Sequence, residues 1–302
     1  MIYRKPALAR IALRSIALLT LASALAPFAF AQTSAPPAAP APAAAPTGPT
    51  PPLIGIAHIA IRVKDIAASV AFYNKLGYQQ AFAMTRGDVT TQSFVKLNDR
   101  QFIEIYPASD RDPIGFMHLC FEGADLNAVH DYYVAEGLTP ISVRTAAAGN
   151  LLFTLKGLQQ LSVPQNIEYT QYMPGSLHSK DFGQHLSPDR VGDKMTVVTL
   201  AMQDTAAAIA FYKDKLGFVP VSGGSRMAWR FGLPGKSGES VEIVPVENLD
   251  SKSSITLTTP DLAKSQALLK QQGIATTQPG KILTITDPDG NLIHLVSASP
   301  TR

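Results

Sequence analysis

The chain has 302 residues, 26 Lys+Arg against 23 Asp+Glu, a formal net charge of +3 and one cysteine. Four of the basic residues, Arg4, Lys5, Arg10 and Arg14, lead the chain; taking them from +3 leaves −1, so the remainder has no basic footprint for nucleic acid or an anionic membrane. The lone Cys120 excludes a disulfide framework and a thiolate zinc cluster.

Residues 1–31 read as a signal peptide. The basic start is followed by an apolar run from Ile16 to Phe30, broken by Pro27, and by a small-x-small signature, Ala29-Phe30-Ala31, before Gln32. The run is shorter than the ~20 residues that a membrane span needs, and no cysteine lies near the cleavage point to carry a lipid. The protein is therefore expected to be exported, periplasmic or secreted, with no membrane attachment after cleavage. In such a compartment a single thiol should be buried. Residues 32–52 are almost all Ala, Pro, Thr and Ser. They bury too little apolar surface to offset ordering entropy and read as a disordered linker.

The chain beyond residue 52 is long enough for two compact domains, and it carries a fourfold repeat. Four stretches open on Asp and close on Gly: Asp65 to Gly77, Asp125 to Gly137, Asp204 to Gly217 and Asp261 to Gly273. Asp is a helix N-cap and Gly a helix stop. Between them Ile66, Val70 and Tyr73 recur at helical spacing, as do Leu126, Val129 and Tyr133. Seven places before each Asp, in a strand-like run, stand His58, His118, Val197 and Ser254. Each helix is followed by alternating sequence that closes on a strand with an acid or His at its middle: Glu104, Glu168, Glu242 and His294. The unit is β-α-β-β-β, and four tandem copies give an α+β fold.

His58-Ile-Ala-Ile-Arg-Val-Lys-Asp65, Phe72-Tyr73 and Leu76-Gly77-Tyr78 resemble the opening of a module of the vicinal-oxygen-chelate (VOC) superfamily, which includes glyoxalase I, bleomycin-resistance proteins and extradiol dioxygenases. Val197 to Phe218 looks like the same opening, and Asp287-Pro-Asp-Gly-Asn291 like the family's turn before a last strand. The resemblance covers residues 54–298. It implies two paired-module domains, 53–175 and 192–298, separated by a connector at 176–191. One fold hosts many chemistries, so it bears more on architecture than on reaction.

The resemblance also implies a site. In this family ligands come from the first and last strands of each module, which gives His58 and Glu104, then His118 and Glu168. Two imidazoles and two carboxylates suit one divalent ion: Zn, Ni, Fe(II), Co or Mn. Strand alternation puts Cys120 on the face of His118, Tyr106 on that of Glu104 and Arg62 on that of His58; these three are candidate substrate contacts. In the second half Val197 and Ser254 stand where histidines would be needed, so no metal is expected there. Module two lacks the Asp-Pro-Asp-Gly turn and reads Ser162-Val-Pro-Gln-Asn166 instead. His130, His178 and His185 read as surface residues, Trp229 as packing and Gly223-Gly224 as a turn.

The His-Glu-His-Glu set resembles that of bacterial glyoxalase I. That implies a lyase or isomerase in which the metal is a Lewis acid and Glu168 a general base. Ring-cleaving relatives use two His and one carboxylate on Fe(II), and a third possibility is a non-catalytic protein that binds a small molecule or an antibiotic. No Arg/Lys cluster to grip glutathione stands out, and little glutathione is expected outside the cell. The expected partner is a small oxygenated substrate, and the expected assembly a monomer or homodimer.

Overall fold

The computed structural model describes residues 49–158, 166–222, 228–246, 252–278 and 280–298. The expected leader, most of the Ala/Pro-rich linker, the greater part of the Ser162–Asn166 turn and Gly223-Gly224 lie outside the described residues.

Module one is β1 (Leu53–Val63), α1 (Ile66–Lys75), β2 (Gln79–Arg86), β3 (Val89–Lys96) and β4 (Phe102–Pro107). Module two is β5 (Gly115–Gly123), α2 (Leu126–Ala135), β6 (Arg144–Thr145), β7 (Leu151–Lys156) and β8 (Asn166–Gln171). A short connector helix comes next, α3 (Leu177–Lys180). Module three is β9 (Lys194–Met202), α4 (Thr205–Ala210), β10 (Val219–Pro220), β11 (Trp229–Gly232) and β12 (Ser240–Pro245). Module four is β13 (Ser254–Thr259), α5 (Leu262–Gln271), β14 (Leu283–Thr286) and β15 (Leu292–Ser297). Its second strand is reduced, among the described residues, to a bridge between Thr277 and Thr284. The interval from Gly273 to Leu292 is the shortest of the four and leaves less chain for three strands.

Asp65, Asp125, Asp204 and Asp261 each accept the N–H three residues on, at 3.1, 3.1, 2.9 and 2.9 Å, as N-caps do. Gly77, Gly137, Gly217 and Gly273 leave the helices at φ 86, 77, 71 and 67°. The third stretch is one residue longer than the others. The extra residue is absorbed as a π-helical turn, Phe211–Lys215, that continues α4.

Modules pair into two sheets, ordered β2-β3-β4-β1-β5-β8-β7-β6 and β10-β11-β12-β9-β13-β15-β14. In each, the first strands of two modules run antiparallel at the centre (β1 with β5, β9 with β13), and each has its module's last strand parallel on its other side. One face of the first sheet carries Ile59, Ile61 and Ile103, buried against Tyr73 of α1 and Tyr133 of α2. The other face is concave. Three strand spacings of ~4.8 Å separate β4 from β8, yet the rings of Phe102 and Tyr172, at the ends of those strands, approach to 6.2 Å.

A single apolar core runs through both halves. They meet on their helix-bearing faces: Tyr73 donates to Asp287 at 3.2 Å, Phe121 meets Phe218 edge-on at 5.2 Å, and Lys215 Nζ reaches the Glu136 carbonyl at 3.0 Å. Among the described residues no helix is long and apolar enough to cross a membrane.

Candidate metal centre

Register builds the site. Residues directly opposite one another in a sheet project to the same side. His58 is opposite Phe102 and Cys120; Ala60 is opposite Glu104 and His118; Cys120 is opposite Glu168. In both modules the acid therefore lies beside the residue two places after the His. The antiparallel pairing of β1 with β5 turns the two His-Glu pairs toward each other. Arg62 and Tyr106 are opposite one another farther along the same face.

The four side chains converge. His58 Nε2 is 3.0 Å from His118 Nε2, 3.1 Å from Glu104 Oε2 and 3.5 Å from Glu168 Oε1, and His118 Nε2 is 3.3 Å from Glu104 Oε2. Donors that share one ion at ~2.0–2.2 Å stand about 3.0–3.6 Å apart, so the residues fit a divalent metal. His58, His118 and Glu168 alone bring one donor atom each within 4.8 Å of one another. His58, His118 and Glu104 are buried, and Glu168, with a side chain 14 % exposed, is the most accessible of the four. Glu104 Oε2 and His58 Nδ1 are buried with no aligned hydrogen-bond partner among the described residues. The other oxygen, Glu104 Oε1, accepts from the Gln92 amide, which also lies 2.6 Å from the Tyr106 hydroxyl.

The carboxylates and imidazoles shift one another. Burial opposes charge on His58, but the carboxylates of Glu104 and Glu168 outweigh it and raise the imidazole pKa. Burial likewise pushes Glu104 up, and the two imidazoles overcome this and hold it well below the usual carboxylate range. Burial, then Glu104 and Glu168, drive the Tyr106 hydroxyl far up. Burial, then Glu168, do the same to the Cys120 thiol, so both groups keep their protons. No Lys or Arg pairs with Glu104 or Glu168 among the described residues.

One end of the concave face is filled from the connector. His178 of α3 is buried, not on the surface as its polar surroundings in sequence imply. It stacks on Tyr172 at 4.4 Å and meets Phe82, Phe94 and Phe102 edge-on at 5.0–5.4 Å. Burial in this aromatic box lowers its pKa to about 3, so it is neutral. Fully buried Lys96 ties the same connector down through Asp181 Oδ2 and the Gln184 carbonyl, each at 2.8 Å, and also pairs with Asp99 Oδ1, three residues on, at 2.8 Å. At the opposite end Arg62 pairs with the half-exposed Asp112 at 2.9 Å. His185 is exposed and His130 half-buried. Gln92, Tyr172, His178 and Lys96 were not signalled by sequence as parts of the site; the one hint was Lys96 itself, a charge inside the apolar run Phe94-Val95-Lys96-Leu97. A surface depression of about 500 Å³, lined by Lys75, Asp189 and Lys264 among others, shares no residue with the cluster.

In the second sheet Val197, Glu242, Ser254 and His294 occupy the four corresponding places. Arg230 Nη2 pairs with Glu242 at 2.9 Å, Thr199 donates to Glu242 at 3.1 Å, and His294 Nδ1 is bonded to Thr284 Oγ1 at 2.8 Å.

Comparison with known proteins agrees with this architecture. The model of the Glyoxalase/Bleomycin resistance protein/Dioxygenase superfamily matches residues 55–156 and again 194–295, and the chain belongs to that superfamily. Among solved structures, a Mn(II)-bound glyoxalase from Novosphingobium aromaticivorans is similar at TM-score 0.65 and 15 % identity, over 82 % of each chain. The 2,3-dioxygenase LapB from Pseudomonas sp. KL28 gives 0.63 and 15 %, over 83 % of this chain and 94 % of that one. The E323L mutant of homoprotocatechuate 2,3-dioxygenase from Brevibacterium fuscum gives 0.60 and 15 %, over 84 % and 74 %. At that identity the likeness defines the fold. A comparison with curated proteins gives no match.

Proposed function

We propose that this is an exported, metal-dependent glyoxalase-like enzyme, a lyase or isomerase acting on a small oxygenated substrate. The observation that carries the reading is the convergence of four donor atoms from His58, Glu104, His118 and Glu168, neighbours in the cluster standing 3.0–3.5 Å apart, with no Lys or Arg paired to them among the described residues. These residues would hold one divalent ion. Bound there, such an ion supplies Lewis acidity toward a substrate carbonyl or enediolate oxygen.

The chain's own groups divide the remaining work. Glu104 is pinned by Gln92 and enclosed by the two imidazoles, which suits a fixed ligand. Glu168, the most exposed of the four and 3.5 Å from His58 Nε2, is placed to carry a proton between adjacent carbons. Tyr106 keeps its proton and can donate to a substrate oxygen. Cys120 stays a thiol and shapes the floor beside His58. Arg62 offers a guanidinium to a polar or anionic substituent at the end away from His178.

A second reading has its own support. His58, His118 and Glu168 form a complete cluster without Glu104, and two imidazoles with one carboxylate is the Fe(II) set of ring-cleaving dioxygenases. The test is activity of the chelator-stripped protein reloaded with Ni(II), Zn(II), Mn(II) or Fe(II). Turnover of 2-oxoaldehyde adducts without O₂ consumption supports the isomerase. Oxygen uptake with catechols, confined to Fe(II) protein, supports the dioxygenase and overturns the first reading.

A further inference from the structure

We infer that the C-terminal half, which lacks the ligand set, acts as a positioning frame for the metal-ligand strands of the N-terminal half, and that Glu239 and Gln101 are its latch. The inference rests on the metal centre proposed above.

The strand that carries His58 is held from the other half at three points. The Leu53 N–H donates to the Pro234 carbonyl at 2.7 Å, the Ile56 N–H to Glu239 Oε2, and the Lys64 N–H, just past the end of β1, to Asp289 Oδ1 at 2.9 Å. His58 lies between the second and third. The pairing of β1 with β5 shifts register on either side of Ile56, so the ladder is locally interrupted there and an outside acceptor adds a constraint. Buried Glu239 is itself oriented by Lys194 Nζ at 3.2 Å.

The contact is reciprocal. Glu239 immediately precedes β12, as Gln101 immediately precedes β4. Glu239 reaches across to Ile56, two residues before His58, and Gln101 reaches across to Met195, two residues before Val197. The Gln101 amide accepts from the Met195 N–H at 2.7 Å and donates to the Met195 carbonyl at 2.9 Å. Each half thus fastens the other's first strand at the same place, through the residue just before the last strand of its own first module. For the N-terminal half those two strands carry His58 and Glu104. No hydrogen bond of this kind joins the C-terminal half to β5 or β8 among the described residues, where the contact is the Phe121–Phe218 ring pair.

The two halves approach closely along this seam. A Cβ on Gly55 would lie 2.6 Å from Glu239 Oε2. A Cβ on Gly235, whose φ is +117°, would lie 2.7 Å from the Leu53 carbonyl oxygen. Glycine at both positions lets the second half approach β1 this closely.

The experiment compares wild type, Glu239→Ala and Glu239→Gln as full-length chains. It reads Co(II) affinity by chelator competition, the Co(II) absorption spectrum, and hydrogen exchange of residues 53–63 in metal-free protein. The alanine variant should bind Co(II) about tenfold more weakly, in the range of groups that orient metal ligands without touching the metal. Its spectrum should shift and its β1 amides exchange faster. The glutamine variant keeps an acceptor for Ile56 and should recover most of the affinity. An alanine variant that melts earlier but keeps wild-type affinity, spectrum and exchange would overturn the inference. Wild-type protein that takes up no Co(II) would instead sink the metal reading and with it the ligand-positioning role; exchange in β1 would then still decide whether Glu239 holds the strand.

Discussion

The two concave faces share a backbone plan and differ at four side chains. In the N-terminal one, His58, His118, Glu104 and Glu168 turn their donors on one point, and no Lys or Arg pairs with them among the described residues. In the C-terminal one, Val197 and Ser254 remove both nitrogens from the first strands, and the remaining acid, Glu242, is neutralised by Arg230. The second face pairs its acid with an arginine, where the first sets its two acids against imidazoles that can also ligate an ion. The ends differ too. Lys96 and His178 fasten the connector over one end of the first face, and the place of Lys96 in the second is taken by Gly232. Architecture survives the loss of a site because backbone pairing and the apolar core sustain it, and neither depends on what the concave face displays.

The comparison can be broken most severely at the ligands. His58→Ala or His118→Ala is expected to weaken metal binding by more than about 100-fold, beyond the loss typical of groups that only orient a ligand; chelator competition reads this. Lys96→Ala should cost about 3 kcal/mol of stability, because it strands the buried Asp181 carboxylate, with His185 giving partial relief. Urea unfolding measures that loss, and an unchanged midpoint would show that the connector is not fastened this way.

A pH effect of intermediate size separates the faces further. The His58 pKa is raised in the folded state, so the proton it gains stabilises metal-free protein below the ordinary value of 6.5. That stability is lost as pH rises through the elevated folded-state value, while metal affinity increases over the same interval because ion and proton compete. Melting of metal-free protein across pH 5–8 should show the decline, and His58→Ala should flatten it. Smallest of all, His294→Ala should leave metal content unchanged, since His294 faces Thr284 and Glu242 rather than a ligand set.

The repeat was legible because it rests on local rules. Asp caps, closing glycines and strand alternation are each decided within a few residues, and together they place Arg62, Tyr106 and Cys120 on the face of the histidines. The π-helical turn at Phe211–Lys215 was also present in the sequence, as one extra residue between Asp204 and Gly217. What local pattern could not carry is contact between distant segments. His178 lies in a short polar connector and gives no periodic signal, so its burial among Phe82, Phe94, Phe102 and Tyr172 comes only from where the chain passes. Gln92 is a polar residue within a strand and Glu239 one just before a strand, and their roles depend on partners 12 and 183 positions away.

The central claim is that one half holds an ion and the other does not. Elemental analysis of purified wild-type, His58→Ala and His294→Ala protein, after reloading with divalent metal and removal of excess, addresses it directly. The account predicts one equivalent per chain in wild type and His294→Ala and none in His58→Ala. Full occupancy in His58→Ala, or loss in His294→Ala, would contradict it.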